Sequence, residues 1–426
     1  MNRIYTSLTV IALFLAPAPS ALASNAWYVD GVSGNDDNDC ETPTTACRTI
    51  GHAISLASSG DSIVVAAATY AENLTISFSL NVIGSGPTTT IVDGGGHNTV
   101  VTVSNAGASV MLSNLTIRGG IASSAGGIYN VGTLTINNST VSGNQAYNSH
   151  FTSYGGGVYN SGTMTINSTT ISGNSAFARS SAWGGAITNI GTVTINKSTL
   201  VGNTAGCGFT GCMGGGGAIQ NNGRLTINNS TLSGNSASAD YSHAKGGAIL
   251  NGSTLEINNS TLSSNTTSYL GQGGGLYNSG TTMISNSTLS GNTTRYLGQG
   301  SGIYNYQGFI VKLQNSIVSQ NSGSNCAGTI TSNGYNLSSD DSCNFSHIGD
   351  LNSHDPLLGP LQNNGGTTDT MALLAGSPAI DAGNPSGCTD GQGRLLTTDQ
   401  RGMPRPDKED AVGCDMGAYE SQSDQP

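Results

Sequence analysis

A repeat with two asparagines at fixed positions constrains this chain more than any other feature. The first asparagine follows a glycine pair and an aliphatic residue, and it recurs at Asn130, Asn160, Asn189, Asn221, Asn251, Asn278 and Asn305. The second recurs at Asn144, Asn174, Asn203, Asn235, Asn265, Asn292 and Asn321. Within a repeat, the first and second asparagines are 14 residues apart in six repeats and 16 in the last. From the second asparagine to the first asparagine of the next repeat, the spacing varies from 13 to 18 residues. Length variation confined to one place is typical of a solenoid, in which insertions protrude on one side.

Inside each repeat, apolar residues alternate with polar ones, as in Thr-Leu-Thr-Ile-Asn at 133–137. This period of two indicates β-strands. Three apolar positions recur along the repeats: Ile128, Val158, Ile187, Ile219, Ile249, Leu276 and Ile303; Ile136, Ile166, Ile195, Ile227, Ile257 and Ile284; Val141, Ile171, Leu200, Leu232, Leu262 and Leu289. Three strands per coil, joined by tight turns, predict an all-β parallel β-helix of the pectate-lyase-like type.

The repeated asparagines have a structural explanation in this fold. Asparagine tolerates left-handed backbone conformations, and its amide can bond to the coil above and below. Glycosylation at Asn-x-Ser/Thr sequences such as 138–140 is the alternative. Because these sequences come with the repeat, we interpret the asparagines as structural ladders.

Composition argues against nucleic-acid binding. Charged residues make up 9% of the chain, the formal net charge is -11, and the 13 Lys and Arg form no cluster. Binding to a phosphate backbone needs concentrated positive charge.

The first 23 residues resemble a secretory signal peptide. Arg3 provides the positive charge, residues 8–15 form a short apolar run, and Ala-Leu-Ala at 21–23 is a small-residue cleavage site. No apolar segment is long enough to be a transmembrane helix. We expect an exported bacterial protein, secreted or held at the cell surface, and a monomer.

Eight cysteines follow this segment in close pairs, Cys40/Cys47, Cys207/Cys212, Cys326/Cys343 and Cys388/Cys414. In an exported protein this pattern favours local disulfides, although eight cysteines allow about 105 connectivities.

The chain is divided into a signal peptide (1–23), an N-terminal cap (24–75), β-helix repeats (76–325) and a C-terminal cap (326–426). Helical spacing at Ile50, Ala53, Ile54 and Ala57 predicts a short helix that covers the open end of the stack. The segment from Trp27-Tyr28-Val29-Asp30 to residues 69–73 resembles the N-terminal cap of bacterial right-handed β-helix proteins. That resemblance implies a right-handed β-helix.

Two further resemblances concern the repeats and the C-terminal region. Gly-Gly-Ala-Ile units at 184–187, 216–219 and 246–249 resemble those of chlamydial polymorphic outer-membrane proteins, which are surface adhesins. Residues 377–383 (Ser-Pro-Ala-Ile-Asp-Ala-Gly), 398–402 (Thr-Asp-Gln-Arg-Gly) and 414–420 (Cys-Asp-Met-Gly-Ala-Tyr-Glu) resemble the choice-of-anchor Q region of exported β-helix proteins. The resemblance implies a cell-envelope protein and indicates no reaction.

Parallel β-helices also include pectin-degrading lyases and hydrolases, which need clustered acids. Between residues 126 and 321 the only acids are Asp240 and Glu256. Asp-Gly-Gly-Gly-His at 93–97 is interpreted as a turn. The repeats therefore offer no pair of catalytic carboxylates, and no catalytic residue is assigned.

Two acidic clusters remain outside the repeats. Asp36, Asp37 and Asp39 could bind calcium through close oxygen ligands, or they form a solvated loop beside Cys40. Otherwise no cofactor is expected. The second cluster could be catalytic, but we interpret it as ion pairs that fold the cap; it contains Asp381, Asp399, Arg401, Arg405, Asp415 and Glu420.

A column of residues beside the apolar one points out of the coil: Tyr129, Tyr159, Thr188, Gln220, Leu250, Tyr277 and Tyr304. The length-variable loops beside it carry Tyr147, Phe151, Tyr154, Phe177, Trp183, Phe209, Tyr241, Tyr269 and Tyr296. Aromatic rings beside amides suit glycan or protein surfaces. The candidate binding residues are Tyr129, Tyr159, Tyr277, Tyr304, Trp183, Tyr154 and Tyr241, and packing of the loops is the alternative.

These observations predict a non-catalytic exported protein that binds a glycan or a cell-surface protein through its variable loops, as an adhesin does. A polysaccharide lyase or glycoside hydrolase of the pectin-degrading type is the alternative function. A third alternative is a purely structural role as a passive spacer in the cell envelope.

Overall fold

Three long parallel sheets, each receiving one strand from every coil, form the body of the molecule. A computed structural model describes residues 25–208, 211–240, 243–407 and 413–422. Stacked parallel strands confirm the predicted all-β parallel β-helix. The predicted signal peptide lies outside the described residues.

The strands of each long sheet are listed here in the order in which they stack. Sheet A contains Ala26–Val29, Ser62–Val65, Leu80–Gly84, Ser109–Ser113, Thr133–Asn137, Thr163–Asn167, Thr192–Asn196, Arg224–Asn228, Thr254–Asn258, Thr281–Ser285, Ile310–Gln314 and Thr331–Ser332. Sheet B contains Ala68–Ala71, Thr90–Asp93, Thr116–Arg118, Thr140–Ser142, Thr170–Ser172, Thr199–Val201, Thr231–Ser233, Thr261–Ser263, Thr288–Ser290, Ile317–Ser319 and Leu337–Ser338. Sheet C contains Leu74–Ile76, Val101–Val103, Ile128–Asn130, Val158–Asn160, Ile187–Asn189, Ile219–Asn221, Ile249–Asn251, Leu276–Asn278, Ile303–Asn305 and Cys326–Ala327.

Like residues pair with like residues along these sheets. Ile136 is in register with Ile166, and Ile166 with Ile195, and all three side chains are fully buried. The predicted apolar columns therefore form the core. Burying each large aliphatic side chain contributes about 1.5–3 kcal/mol, and stacking repeats this contribution in every coil.

Both asparagine columns form the predicted buried ladders. The Nδ2 of Asn130 donates to Asn160 Oδ1 at 2.7 Å, and the Nδ2 of Asn144 donates to Asn174 Oδ1 at 3.0 Å. Asn138, in the sequence considered for glycosylation, occupies a left-handed turn (φ 44°) and donates to Asn114 Oδ1. These contacts support the structural interpretation.

The glycine pairs allow coils to approach closely at the entry to sheet C. A Cβ on Gly185 would lie 2.2 Å from the Gly217 carbonyl oxygen, and Gly184 has a φ of 64°. Only glycine fits such contact and such a backbone without strain.

A short helix, Ile50–Leu56, covers the first coils as predicted and buries Ile50, Ala53 and Ile54. It is preceded by a 3-10 turn, Pro43–Thr45. Tyr28 exchanges backbone hydrogen bonds with Cys40 and Cys47, so the edge of the first strand is covered. Among the described residues, no helix has the length and apolar character needed to cross a membrane.

The variable segments are folded, which the sequence analysis did not predict. Each leaves sheet B, adds a strand to sheet D, turns, and returns beside sheet E. Sheet D contains Ile121–Ala122, Gln145–Asn148, Ser175–Ala178, Thr204–Cys207, Ser236–Ser238, Thr266–Thr267 and Thr293–Thr294, and sheet E contains Thr152–Tyr154, Ser181–Trp183 and Met213–Gly215. We call this two-sheet lobe the fin. Its interior is made of small residues, namely Ala146, Ala176, Ala178 and Ala182, with a second cluster around Ala237 and Ala244.

The C-terminal region first extends the solenoid by one coil and then folds back along it. One further coil, with strands Cys326–Ala327, Thr331–Ser332 and Leu337–Ser338, lies beyond the boundary predicted at residue 325. Residues 355–407 and 413–422, which we call the strap, then run back along the corner between sheets A and B. The strap contains an antiparallel hairpin of Leu358–Gln362 and Thr370–Leu373. Its Gln400 bonds to Thr261 and Thr231, several coils before the end of the solenoid.

The four predicted disulfides are confirmed: Cys40–Cys47, Cys207–Cys212, Cys326–Cys343 and Cys388–Cys414. Such density of disulfides is typical of proteins that fold in an oxidising compartment.

Candidate functional site

The predicted tyrosine column lies on the outer face of sheet C, where it meets the fin. Tyr129 and Tyr159 stack with centroids 5.3 Å apart, and Tyr277 and Tyr304 stack at the same distance. Tyr154 of sheet E meets Tyr159 edge-on at 6.3 Å. The structure thus brings five predicted binding residues into two groups at this junction.

The fin covers much of this column. Thr188 is 1% exposed, Tyr277 is 3% exposed, and the Lys245 ammonium lies over the Tyr277 ring at 4.9 Å. Trp183 lies between the two tyrosine groups, and its backbone carbonyl accepts a hydrogen bond from the Thr188 hydroxyl at 2.9 Å. Burial raises the pKa of Tyr277 to about 12. At the centre of the column these side chains therefore pack the fin against sheet C, and Tyr241 lies outside the described residues.

Six exposed apolar side chains come from the strand ends and turns of the fin, and we call this set the rim. The rim consists of Tyr147, Phe151, Met213, Tyr269, Tyr296 and Leu297. Phe151, Tyr296 and Leu297 are 73%, 70% and 92% exposed. Large apolar side chains exposed together on one lobe are a feature of interaction surfaces.

Turn geometry fixes the rim. Asn148 accepts hydrogen bonds from the backbone N–H groups of His150 and Phe151, and the Phe151 carbonyl accepts one from Ser180. On sheet D, the Tyr147 and Phe177 rings stack at 6.1 Å. The rim therefore presents aromatic groups from ordered turns, and it spans five coil steps, or about 24 Å.

The structure does not gather the three predicted calcium ligands. Asp36 accepts hydrogen bonds from the backbone of Arg48 and Thr49 and from the Thr49 hydroxyl. Burial alone would raise the pKa of Asp36, but these bonds together outweigh it and lower the pKa. Asp39 accepts from the Glu41 backbone, whereas Asp37 is exposed. Calcium binding at this loop stays a prediction.

One group of potential metal ligands occurs in the described part of the chain, namely Cys40, Cys47 and His52. Both cysteines belong to a disulfide, so they provide no thiolate.

The C-terminal charged residues form buried ion pairs, as interpreted from the sequence. Arg401 pairs with Asp399 and Arg405 with Glu420, each at 2.7 Å, and the second pair is fully buried. Burial and the neighbouring Glu420 carboxylate raise the pKa of Asp415 to about 7. Asp381 joins through its backbone N–H, which donates to Asp415, and its side chain is exposed.

The two acids of the repeats lie apart. Glu256 is 7% exposed on sheet A, where it accepts hydrogen bonds from Asn258 and from Gln392 of the strap. Asp240 is exposed on the fin. Asp93 pairs with Arg118 at 2.8 Å and accepts from the Gly95 backbone, as expected for a turn. In the described coils, the arrangement expected of paired catalytic carboxylates is not formed by these residues.

Leu297 and Met213 were not singled out from the sequence, and the rim aromatics were noted without being chosen as binding residues. Leu297 has a φ of 59°, which places it in a turn that an apolar residue seldom occupies. The sequence signal for Leu297 was an apolar residue within a loop otherwise rich in Gly, Thr and Arg.

No protein-family profile and no curated protein matches the chain. Among solved structures it is similar to pectate lyase Pel9A, at 15% identity and a TM-score of 0.49, over 94% of this chain and 98% of that chain. It is also similar to the complex of XylC with xylose, at 8% identity and a TM-score of 0.42, over 92% and 98% of the two chains. A pectin methylesterase from carrot is similar at 11% identity and a TM-score of 0.34, over 74% of this chain and 85% of that chain. All three scores are below 0.5, and we draw no functional argument from them.

Proposed function

We propose that this chain is an exported, non-catalytic adhesion protein whose fin binds a protein on a neighbouring surface. The observation that carries the proposal is the rim, where Phe151, Tyr296 and Leu297 are each at least 70% exposed. The resemblances to adhesins and to the choice-of-anchor Q region agree with it.

The geometry of the aromatic pairs favours a protein over a glycan at this surface. A sugar stacks on a free ring face, and Tyr147 and Phe177 each turn one face towards the other, with centroids 6.1 Å apart and 9° between their planes, so fewer free faces remain for a sugar. The exposed aromatic side chains of the rim, together with Leu297 and Met213, resemble in composition the aromatic and methionine-rich centre of protein interfaces. The sheets of the fin also anchor the turns that carry these groups, which reduces the entropy lost on binding.

A pectin-degrading enzyme is the alternative. It would need acids facing a cleft, whereas Glu256 is bonded to Asn258 and Gln392, and the acidic cluster around Glu420 is buried inside the strap. The contacts of Glu256 and Glu420 therefore favour a non-catalytic binding protein over a pectin-degrading enzyme.

The test is retention of beads coated with the mature chain on a panel of intact bacterial and eukaryotic cells. The rim variant is Phe151→Ser/Tyr296→Ser/Leu297→Ser. The control, Ile190→Ser/Ile348→Ser/Leu374→Ser, removes three apolar residues outside the fin that are 48%, 66% and 50% exposed.

Retention should be lost with the rim variant, kept with the control variant, and abolished when the cells are treated with proteinase K. Retention that survives proteinase K but not periodate oxidation would replace the protein partner by a glycan. Shortening of polysaccharides by the purified chain would instead support the enzyme.

A further inference from the structure

A groove of about 420 Å³ runs along the corner between sheets A and B, away from the fin. Its solenoid wall is formed by Asn196, Asn228, Asn229, Asn258 and Asn259. Its other wall is the strap, with Asp390, Arg394, Leu395, Leu396 and Thr398. A pocket of about 230 Å³ lies beside it, between Ser168, Thr170 and Lys197 of the solenoid and Thr367 of the strap. The groove is within the size range of ligand sites.

The asparagine side chains at the end of sheet A form a third ladder, which is partly exposed to this groove. Asn167 donates to Asn137, Asn196 to Asn167, Asn228 to Asn196 and Asn258 to Asn228, at 2.8, 2.9, 2.9 and 3.1 Å. All four bonds run in the same direction along the solenoid. Each amide is therefore held in one orientation.

This ladder leaves hydrogen-bonding capacity unused. A primary amide has two N–H groups. The second N–H of Asn167, Asn196 and Asn228 has no protein partner among the residues the structure describes, and neither has the side-chain amide of Asn229. In the groove, oriented donors thus occur at Asn196 and Asn228, one coil step of about 4.8 Å apart, with the amide of Asn229 beside them.

The opposite wall supplies an apolar contact and few uncompensated charges. Leu395 is 60% exposed on the strap, facing the amide wall. The Arg394 guanidinium, which is 75% exposed, pairs with Asp390 at 2.7 Å. Lys197 is exposed at the adjoining pocket. Amides, hydroxyls, two leucines and nearly balanced charges suit a neutral hydroxylated ligand.

We propose that the groove binds a neutral polysaccharide chain lying parallel to the solenoid axis. Sugar hydroxyls would accept hydrogen bonds from the free amide N–H groups, and an apolar sugar face would contact Leu395. A polymer matches donors that repeat in every coil better than a single compact molecule does. This site lies at a different corner from the rim and is independent of the function proposed for the fin.

The test is calorimetric titration of the mature chain with neutral hexasaccharides of xylose, glucose and mannose, and with hexagalacturonate as the charged probe. The test variant is Asn229→Gly/Leu395→Ser. Asn229 has a φ of 50°, so glycine keeps the backbone and removes only the amide. Asn98→Gly, at a second exposed asparagine with a φ of 50°, is the matched control.

We expect at least one neutral hexasaccharide to bind, about tenfold more weakly to the test variant and equally well to the control. The serine triple variant of the rim should leave this affinity unchanged, so failure here is distinguishable from failure of the fin proposal. Tighter binding of hexagalacturonate, no binding of any neutral hexasaccharide, or loss only in the rim variant would overturn the proposal.

Discussion

Replacing Asn203 by alanine should remove five hydrogen bonds from the centre of the solenoid. The Oδ1 of Asn203 accepts from the backbone N–H and the Nδ2 of Asn174, both at 3.0 Å. Its Nδ2 donates to the carbonyl of Ile171 at 2.9 Å, to that of Val201 at 3.3 Å and to Asn235 Oδ1 at 3.0 Å. The side chain is fully buried.

The cost follows from what the variant leaves unpaired. Two donors of Asn174 and the Ile171 carbonyl lose a partner in a place with no exposure to solvent. A buried donor without a partner costs about 1–3 kcal/mol, so we expect the free energy of unfolding to fall by about 3–5 kcal/mol. The loss should exceed that of an exposed asparagine by several-fold, because surface substitutions usually stay within about 0.5 kcal/mol.

Urea unfolding followed by circular dichroism measures this difference, with Asn98→Gly as the control. Because solenoids can unfold in segments, amide exchange at Asn174 provides a local measurement. A loss below about 1 kcal/mol with unchanged exchange at Asn174 would refute the claim that the ladder stabilises the coils.

Three further predictions follow from the strap and the turns. The pKa of Asp415 is raised to about 7 from an ordinary value of 3.8, so between these values the folded state binds a proton that the unfolded state has lost. The free energy of unfolding should therefore fall by roughly 4 kcal/mol as pH rises from 4 to 7. Urea titrations at each pH measure this slope, and Asp415→Asn should flatten it. Removing the Cys388–Cys414 disulfide with two alanines should lower the melting temperature, through a loss of about 3 kcal/mol, and expose the strap to limited proteolysis. Gly185→Ala should give little soluble protein, because the added Cβ would lie 2.2 Å from a backbone oxygen. Gly143→Ala has open space around the added Cβ and strains only a positive φ, so it should express normally.

Much of the fold was predictable because one local pattern recurs in every coil. Ile136, Ile166 and Ile195 repeat an identical environment, so their period of two identified the core strands. Asn130 and Asn144 were identified as structural for the same reason. Disulfide pairing followed from the short separations of the cysteines.

The fin was not predictable from the same pattern. Its core residues, such as Ala146, Ala176 and Ala182, are too small to give a hydrophobic alternation in sequence. The period of two placed Tyr277 on the outside of the coil, but it could not show that Lys245 of the fin covers the ring. Likewise, the return of the strap depends on contacts such as Gln400 with Thr231, which are 169 residues apart.

Photo-crosslinking from the rim would show whether the fin contacts a protein on the bound cell. A benzoylphenylalanine placed at Phe151 should form an adduct with a protein of a bound cell, and the adduct should disappear after proteinase K. The same group placed at Ile348, which is exposed outside the fin, should form none. Equal adducts from both positions, or none from Phe151 on cells that retain the protein, would contradict adhesion through the fin.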